Sequence, residues 1–139
     1  MNSEARLVVV TGAGRGVGAA TVRALLKEDG VAVIAVSRAL DVLRSSLPAE
    51  ARLELCPLDL ERPDAASRLA QQVGARRVHA LVHNAGLLHK AGMGTHQRSD
   101  LERVFLLNAI VPLELSQALA DNLAGDPPGH IVHIGSMGG

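Results

Sequence analysis

Short apolar runs alternate with longer amphipathic stretches along the whole chain. Residues 6–11, 31–37, 52–57, 78–83 and 130–135 are rich in Val, Ile or Leu and bounded by turn residues, which predicts strands. Between them, apolar positions at helical spacing predict helices over 16–28, 39–46, 63–73 and 99–122. In the first helix Ala20, Val22, Leu25 and Leu26 make the apolar set, and Asp29-Gly30 ends it. In the last the set is Leu101, Val104, Phe105, Asn108, Val111, Leu115 and Leu119, and Ser99 with Glu102 is spaced as a capping box. Pro112 falls inside that run and predicts a kink or a break. Residues 87–97, with His89, Gly92, Gly94 and His96, form the longest loop, expected at the surface and able to move. Asp126-Pro127-Pro128-Gly129 is a turn before the last strand.

Strand and helix alternating with short connections predict an α/β fold, a parallel sheet with helices on both faces. The 139 residues suit one domain, 1–139, with no internal repeat or linker. Apolar residues make up 47% of the chain but aromatic residues only 1%, with Phe105 alone. The core must therefore be built from Val, Leu, Ile and Ala, which suits strands buried on both faces. Fourteen basic residues balance fourteen acidic ones, so nothing points to nucleic acid or an anionic membrane. The longest apolar run, 31–36, is too short to span a bilayer. Glu4 and Arg6 near the start, without a long apolar region, argue against a secretory signal. Cys56, the single cysteine, excludes an internal disulfide and is expected as a buried, inert thiol. These features fit a cytoplasmic protein.

The first strand candidate runs into Gly12-Ala13-Gly14-Arg15-Gly16-Val17-Gly18, and a helix-like stretch follows. Strand, glycine turn and helix N-terminus form the layout of a dinucleotide phosphate site. Glycines at 12, 16 and 18 would let the backbone turn tightly and let phosphates approach amide groups. A second parse, Gly14-x-Gly16-x-x-Ala19, fits the common GxGxxG/A fingerprint but starts three residues past the strand. An acid about twenty positions on would bind a ribose hydroxyl. Ser37 and Arg38 stand there instead, and a guanidinium suits a 2′-phosphate. Arg15 adds a second positive charge in the turn.

Together these residues resemble the short-chain dehydrogenase/reductase family, in order and over the whole chain. Thr11-Gly12-x-x-x-Gly16-x-Gly18 matches its cofactor turn, TGxxxGxG. Asp59-Leu60 matches the aspartate that meets adenine. His83-Asn84-Ala85-Gly86 matches NNAG, with His83 in place of the first Asn. Asn108 matches the helix asparagine of the catalytic tetrad. Residues 129–136 match GxIVxxSS with Gly135 replacing the first Ser, so that Ser136 stands where the catalytic serine belongs. The resemblance implies a Rossmann-type three-layer fold with strand order 3-2-1-4-5, and a site at the carboxyl ends of strands one and four. It implies an oxidoreductase that moves hydride between a nicotinamide cofactor and a small carbonyl or alcohol substrate. NADP(H) is the preferred cofactor and NAD(H) the alternative. The cofactor would be held by Gly12, Gly14, Arg15, Gly16, Val17, Gly18, Ser37, Arg38, Asp59, Leu60, Asn84, Ala85 and Gly86. Ser136 and Asn108 would serve the chemistry, in a homo-oligomer.

The family's tyrosine and the lysine four residues beyond it have no match, since the chain contains no tyrosine. Loss of that proton donor forfeits roughly 10²–10⁴-fold in rate. The domain is therefore expected to be truncated after the fifth strand and inactive alone. Its alternatives are a non-catalytic NADP(H)-binding module or sensor, or a fragment of a longer enzyme. A fragment would expose its last strand as a sheet edge and self-associate. His79 and His83 would lie about 13 Å apart on one strand face, too far to share a metal, and no metal site is expected. His130 and His133 would point to opposite faces, with His133 packing behind the site. Charges at 98–103 read as a solvated helix face.

Overall fold

The structure, a computed structural model, describes residues 5–136. Glu4 and the two ends of the expected 1–139 domain lie outside the described residues. The strands are β1 (Arg6–Thr11), β2 (Val31–Ser37), β3 (Leu53–Pro57), β4 (Val78–His83) and β5 (His130–His133). They pair in parallel in the order β3-β2-β1-β4-β5, as the resemblance implied. Alternation along each strand divides the core into two layers. Leu7 and Val9 of β1 and Ile34 and Val36 of β2 face one side, while Val8, Val10, Val33 and Ala35 face the other. The second side is covered by α1 (Gly16–Leu25) and α2 (Leu40–Ser46), through Ala19, Val22 and Leu43. The first is covered by α3 (Ala65–Val73), α5 (Val111–Ala118) and α6 (Ala120–Leu123), through Leu69, Val73, Leu115 and Leu123. Because every crossover carries a helix, all strand C-termini lie along one edge of the sheet, where the site is built. No helix among the described residues is long and apolar enough to cross a membrane.

Helix ends differ from the sequence expectation for identifiable reasons. The first helix stops at Leu25 rather than at residue 28, because the chain tightens into i→i+3 bonds from Lys27 to Ala24 and Glu28 to Leu25. Arg52 caps this end, donating to the carbonyls of Leu26 (2.6 Å), Glu28 (2.9 Å) and Val31 (3.1 Å). The helix predicted over 99–122 is divided. It begins as α4 (Arg98–Phe105), widens into a π-helical turn over Leu106–Ile110, and continues as α5 and α6. Pro112 sits in the first turn of α5, where the π-helical turn passes into α-helix. The wide turn just before it accommodates a ring that would otherwise meet the preceding carbonyls. The capping box does not form. Gln97 precedes the helix without a side-chain cap, and Glu102 pairs with Arg98 at 2.8 Å. Only the second half of the predicted apolar stripe is inside. Val111, Leu115 and Leu119 are buried, whereas Phe105 is 67% exposed and α4 has no buried residue. Strand β5 is the edge of the described sheet, with Ile131 and Val132 exposed, as is Ile134 just beyond it. Cys56 is buried, and burial pushes its thiol pKa up.

Candidate functional site

The site grows from the last residue of β1. The Thr11 hydroxyl, 1% exposed, donates to the Val82 carbonyl (3.3 Å) and accepts from the backbone N–H of Asn84 (3.1 Å) and Ala85 (3.0 Å). In return, the Asn84 side-chain amide donates to the carbonyls of Thr11 (3.2 Å) and Gly12 (3.1 Å). These bonds clamp the turn after β1 to the segment leaving β4. Gly12 makes the clamp possible, with a φ of +64° and a hypothetical Cβ only 2.8 Å from the Ala85 Cα. At Gly18 a Cβ would meet the Gly12 carbonyl oxygen at 2.2 Å, so α1 leaves the turn in direct backbone contact. Gly14 is also tight, a Cβ there meeting the Ser37 hydroxyl oxygen at 2.8 Å, and Ala19 packs in the core beside Val22, so residues of both glycine parses sit in close contact.

A cavity of about 520 Å³ opens over this turn. It is lined by twelve of the thirteen cofactor residues expected from sequence: Gly12, Gly14, Arg15, Gly16, Val17, Ser37, Arg38, Asp59, Leu60, Asn84, Ala85 and Gly86. Gly18 lies beneath it, against Gly12. The first turn of α1 reaches the cavity at Gly16 and Val17, which aims unpaired amides and the positive helix end at it. Glycine-only space, a helix N-terminus and two arginines together fit a dinucleotide. Two charged residues on the wall were not anticipated. Arg103 of α4 grips Glu61 with both nitrogens, Nε to Oε1 at 2.7 Å and Nη2 to Oε2 at 3.0 Å. Arg38 stands 4.0 Å from the same carboxylate. Hydrogen bonding by Arg103 holds the Glu61 carboxyl below its usual range. Asp59 turns one oxygen to the Glu61 amide at 3.0 Å, fixing this loop.

Asn108 lies in the π-helical turn, beside the cavity rather than in its wall. Its side chain accepts from the Leu87 amide (2.7 Å) and donates to the Leu87 carbonyl (2.8 Å), tying α4–α5 to the residues after β4. Ser136 follows β5, exposed, on the same edge of the sheet. His83 is 4% exposed and stacks on the exposed His133 with ring centroids 4.7 Å apart. The His83 Nε2 lies 2.9 Å from the Ser116 hydroxyl. Because that hydroxyl donates to the Pro112 carbonyl at 2.7 Å, the network assigns the proton to Nε2. Burial, and secondarily His133, lowers the His83 pKa to about 4. The unfolded chain, with His83 near 6.5, binds the extra proton between these values. The contribution of His83 to stability is therefore complete above about pH 6.5 and is lost as pH falls toward about 4, by at most about 1.4 kcal/mol per pH unit. Urea denaturation at several pH values should show this slope reduced in His83→Asn. An identical slope in both proteins would contradict the buried neutral imidazole.

Among the described residues, no three His, Cys, Asp or Glu side chains cluster as a metal site. Glu61 and Arg103 escaped the sequence reading because they are 42 residues apart and Arg103 belongs to the charged run at 98–103. The available signal was an acid two positions after Asp59.

A family model described as short chain dehydrogenase matches residues 6–139. Human L-xylulose reductase is 35% identical over 133 residues, covering 95% of this chain and 53% of that protein. A short-chain dehydrogenase from Streptomyces avermitilis superposes with a TM-score of 0.89 at 30% identity, covering 99% of this chain and 51% of the other. A metagenomic short-chain oxidoreductase in complex with NADP gives a TM-score of 0.83 at 31% identity, covering 96% and 64%. The chain spans about half the length of the curated relatives it matches.

Proposed function

The chain belongs to the short-chain dehydrogenase family, and on that premise we propose that it is the NADP(H)-binding portion of a carbonyl reductase or alcohol dehydrogenase. One observation carries the cofactor assignment. The glycine turn, the α1 N-terminus and Arg38 all face one cavity, and at the end of β2, where an acid would grip a ribose diol, Ser37 and Arg38 stand instead. When bound, the cofactor supplies hydride for reduction of a small carbonyl compound. Gly12, Gly14 and Gly16 leave backbone room for its pyrophosphate, and the amides of Gly16 and Val17 hold the negative charge. Ser37, Arg38 and Arg15 take the ribose phosphate, and Asp59 and Leu60 bound the adenine. Asn84, Ala85 and Gly86 form the wall toward the nicotinamide. Ser136 hydrogen-bonds the substrate oxygen, and Asn108 holds the loop beside it in place. The proton donor is not a tyrosine of these residues, because none is present. The proposal extends to a small carbonyl or alcohol substrate, a homo-oligomeric assembly and a place in the cytoplasm.

Fluorescence titration of the chain with NADPH and NADH tests this. NADPH should bind tighter by about ten- to a hundredfold, the scale of one charged hydrogen bond. Equal affinities would remove the NADP(H) preference, and binding of neither would remove the proposed function.

A further inference from the structure

Resting on that reading, we infer that the Glu61–Arg103 ion pair sets cofactor preference, by occupying the carboxylate that would otherwise compete with a phosphate for Arg38. Glu61 is the acid nearest to Arg38, and its side chain is only 19% exposed. Arg103 engages both carboxylate oxygens in a fork, the arrangement that best satisfies a carboxylate. Arg38 is left at 4.0 Å, beyond hydrogen-bond distance, with 70% of its side chain exposed. It is therefore held near the end of β2 while its donors remain free for a ligand.

Arg103 comes from α4, far along the chain from the glycine turn, and it does not have to touch the cofactor to act. It is a positioning residue. Without it, the Glu61 carboxylate would lose its fork partner and draw Arg38 inward. The same charge would then oppose a dianionic 2′-phosphate arriving at the same wall. NADH carries no such phosphate, so its binding would be little affected. A simple structural brace between α4 and the loop after β3 would instead affect both cofactors alike.

The experiment is a double-mutant cycle, with NADPH and NADH titrated into the wild-type chain, Arg103→Met, Glu61→Gln and the double variant. Arg103→Met should lower the NADPH-over-NADH affinity ratio by about tenfold, the loss of roughly one charge-assisted contact. Glu61→Gln should raise the ratio, because Arg103 loses its carboxylate partner and its charge is added to that of Arg38 on the same wall. The double variant should return to the wild-type ratio or above it. Thermal melts of each protein check folding, and Glu61→Gln alone decides the matter if Arg103→Met is unfolded. Equal weakening of both cofactors by Arg103→Met, or a double variant as poor as that single one, would overturn the inference while leaving the proposed function intact. An unchanged or lower ratio in Glu61→Gln would also overturn it. A wild-type chain that binds neither cofactor would instead remove the proposed function, and this inference with it.

Discussion

Gly18→Ala is expected to disable the site more thoroughly than any other single methyl group. Its Cβ would lie 2.2 Å from the Gly12 carbonyl oxygen and 2.5 Å from the Asn84 side-chain nitrogen. The first obstacle is backbone and cannot rotate away, so α1 must move off the turn. Forcing a group into packed surroundings costs about 1–3 kcal/mol in stability. The consequence for binding is larger, because the same shift carries the Gly16 and Val17 amides away from the cavity and loosens the Asn84 clamp. We expect NADPH affinity to fall by more than about tenfold, equivalent to at least about 1.4 kcal/mol. Urea denaturation and NADPH titration of the same preparation measure both effects. A variant that folds and binds like the wild type would contradict the close contact of α1 with the turn.

Thr11→Val removes one oxygen and retains nearly the same volume. The hydroxyl is buried and holds three backbone groups, accepting from Asn84 and Ala85 and donating to Val82. Valine would leave two N–H groups without their acceptor, and an unmet buried donor costs about 1–3 kcal/mol. The expected destabilisation is about 2–4 kcal/mol. Thr11→Ser, which keeps the oxygen, should recover most of it. Since these bonds place Asn84–Gly86 against the glycine turn, NADPH affinity should fall with stability in the valine variant and not in the serine one. Equal stability of Thr11→Val and wild type would mean that the clamp is not set by the hydroxyl.

Strand positions were legible because the central strands are bare Val, Ile and Leu runs between turn residues, and burial on both faces requires that composition. Strand order followed from the resemblance, which rested on motifs spread from Thr11 to Ser136. Helix ends were less legible because distant groups set them. The carbonyls after α1 are capped by Arg52, which lies beyond β2 in the chain. The division of the last helix was foreseen at Pro112, but the wide turn falls earlier, over Leu106–Ile110, and Asn108 sits within it. Phe105 and Leu101 have helical spacing with the buried residues and yet are exposed, because periodicity marks a face without saying what covers it. In the site, residues contiguous with a glycine turn or a strand end were legible. Glu61 and Arg103 were not, because an ion pair between distant segments leaves no local pattern. The His83–Ser116 bond and the stacking on His133 were hidden for the same reason.

Amide chemical-shift mapping of the chain titrated with NADP⁺ tests the central claim most directly. Saturable shifts concentrated at residues 12–18, 37–38, 59–61 and 84–87 are the predicted result. Saturable shifts elsewhere, or none at millimolar cofactor, would contradict a dinucleotide site at the carboxyl ends of β1 and β4.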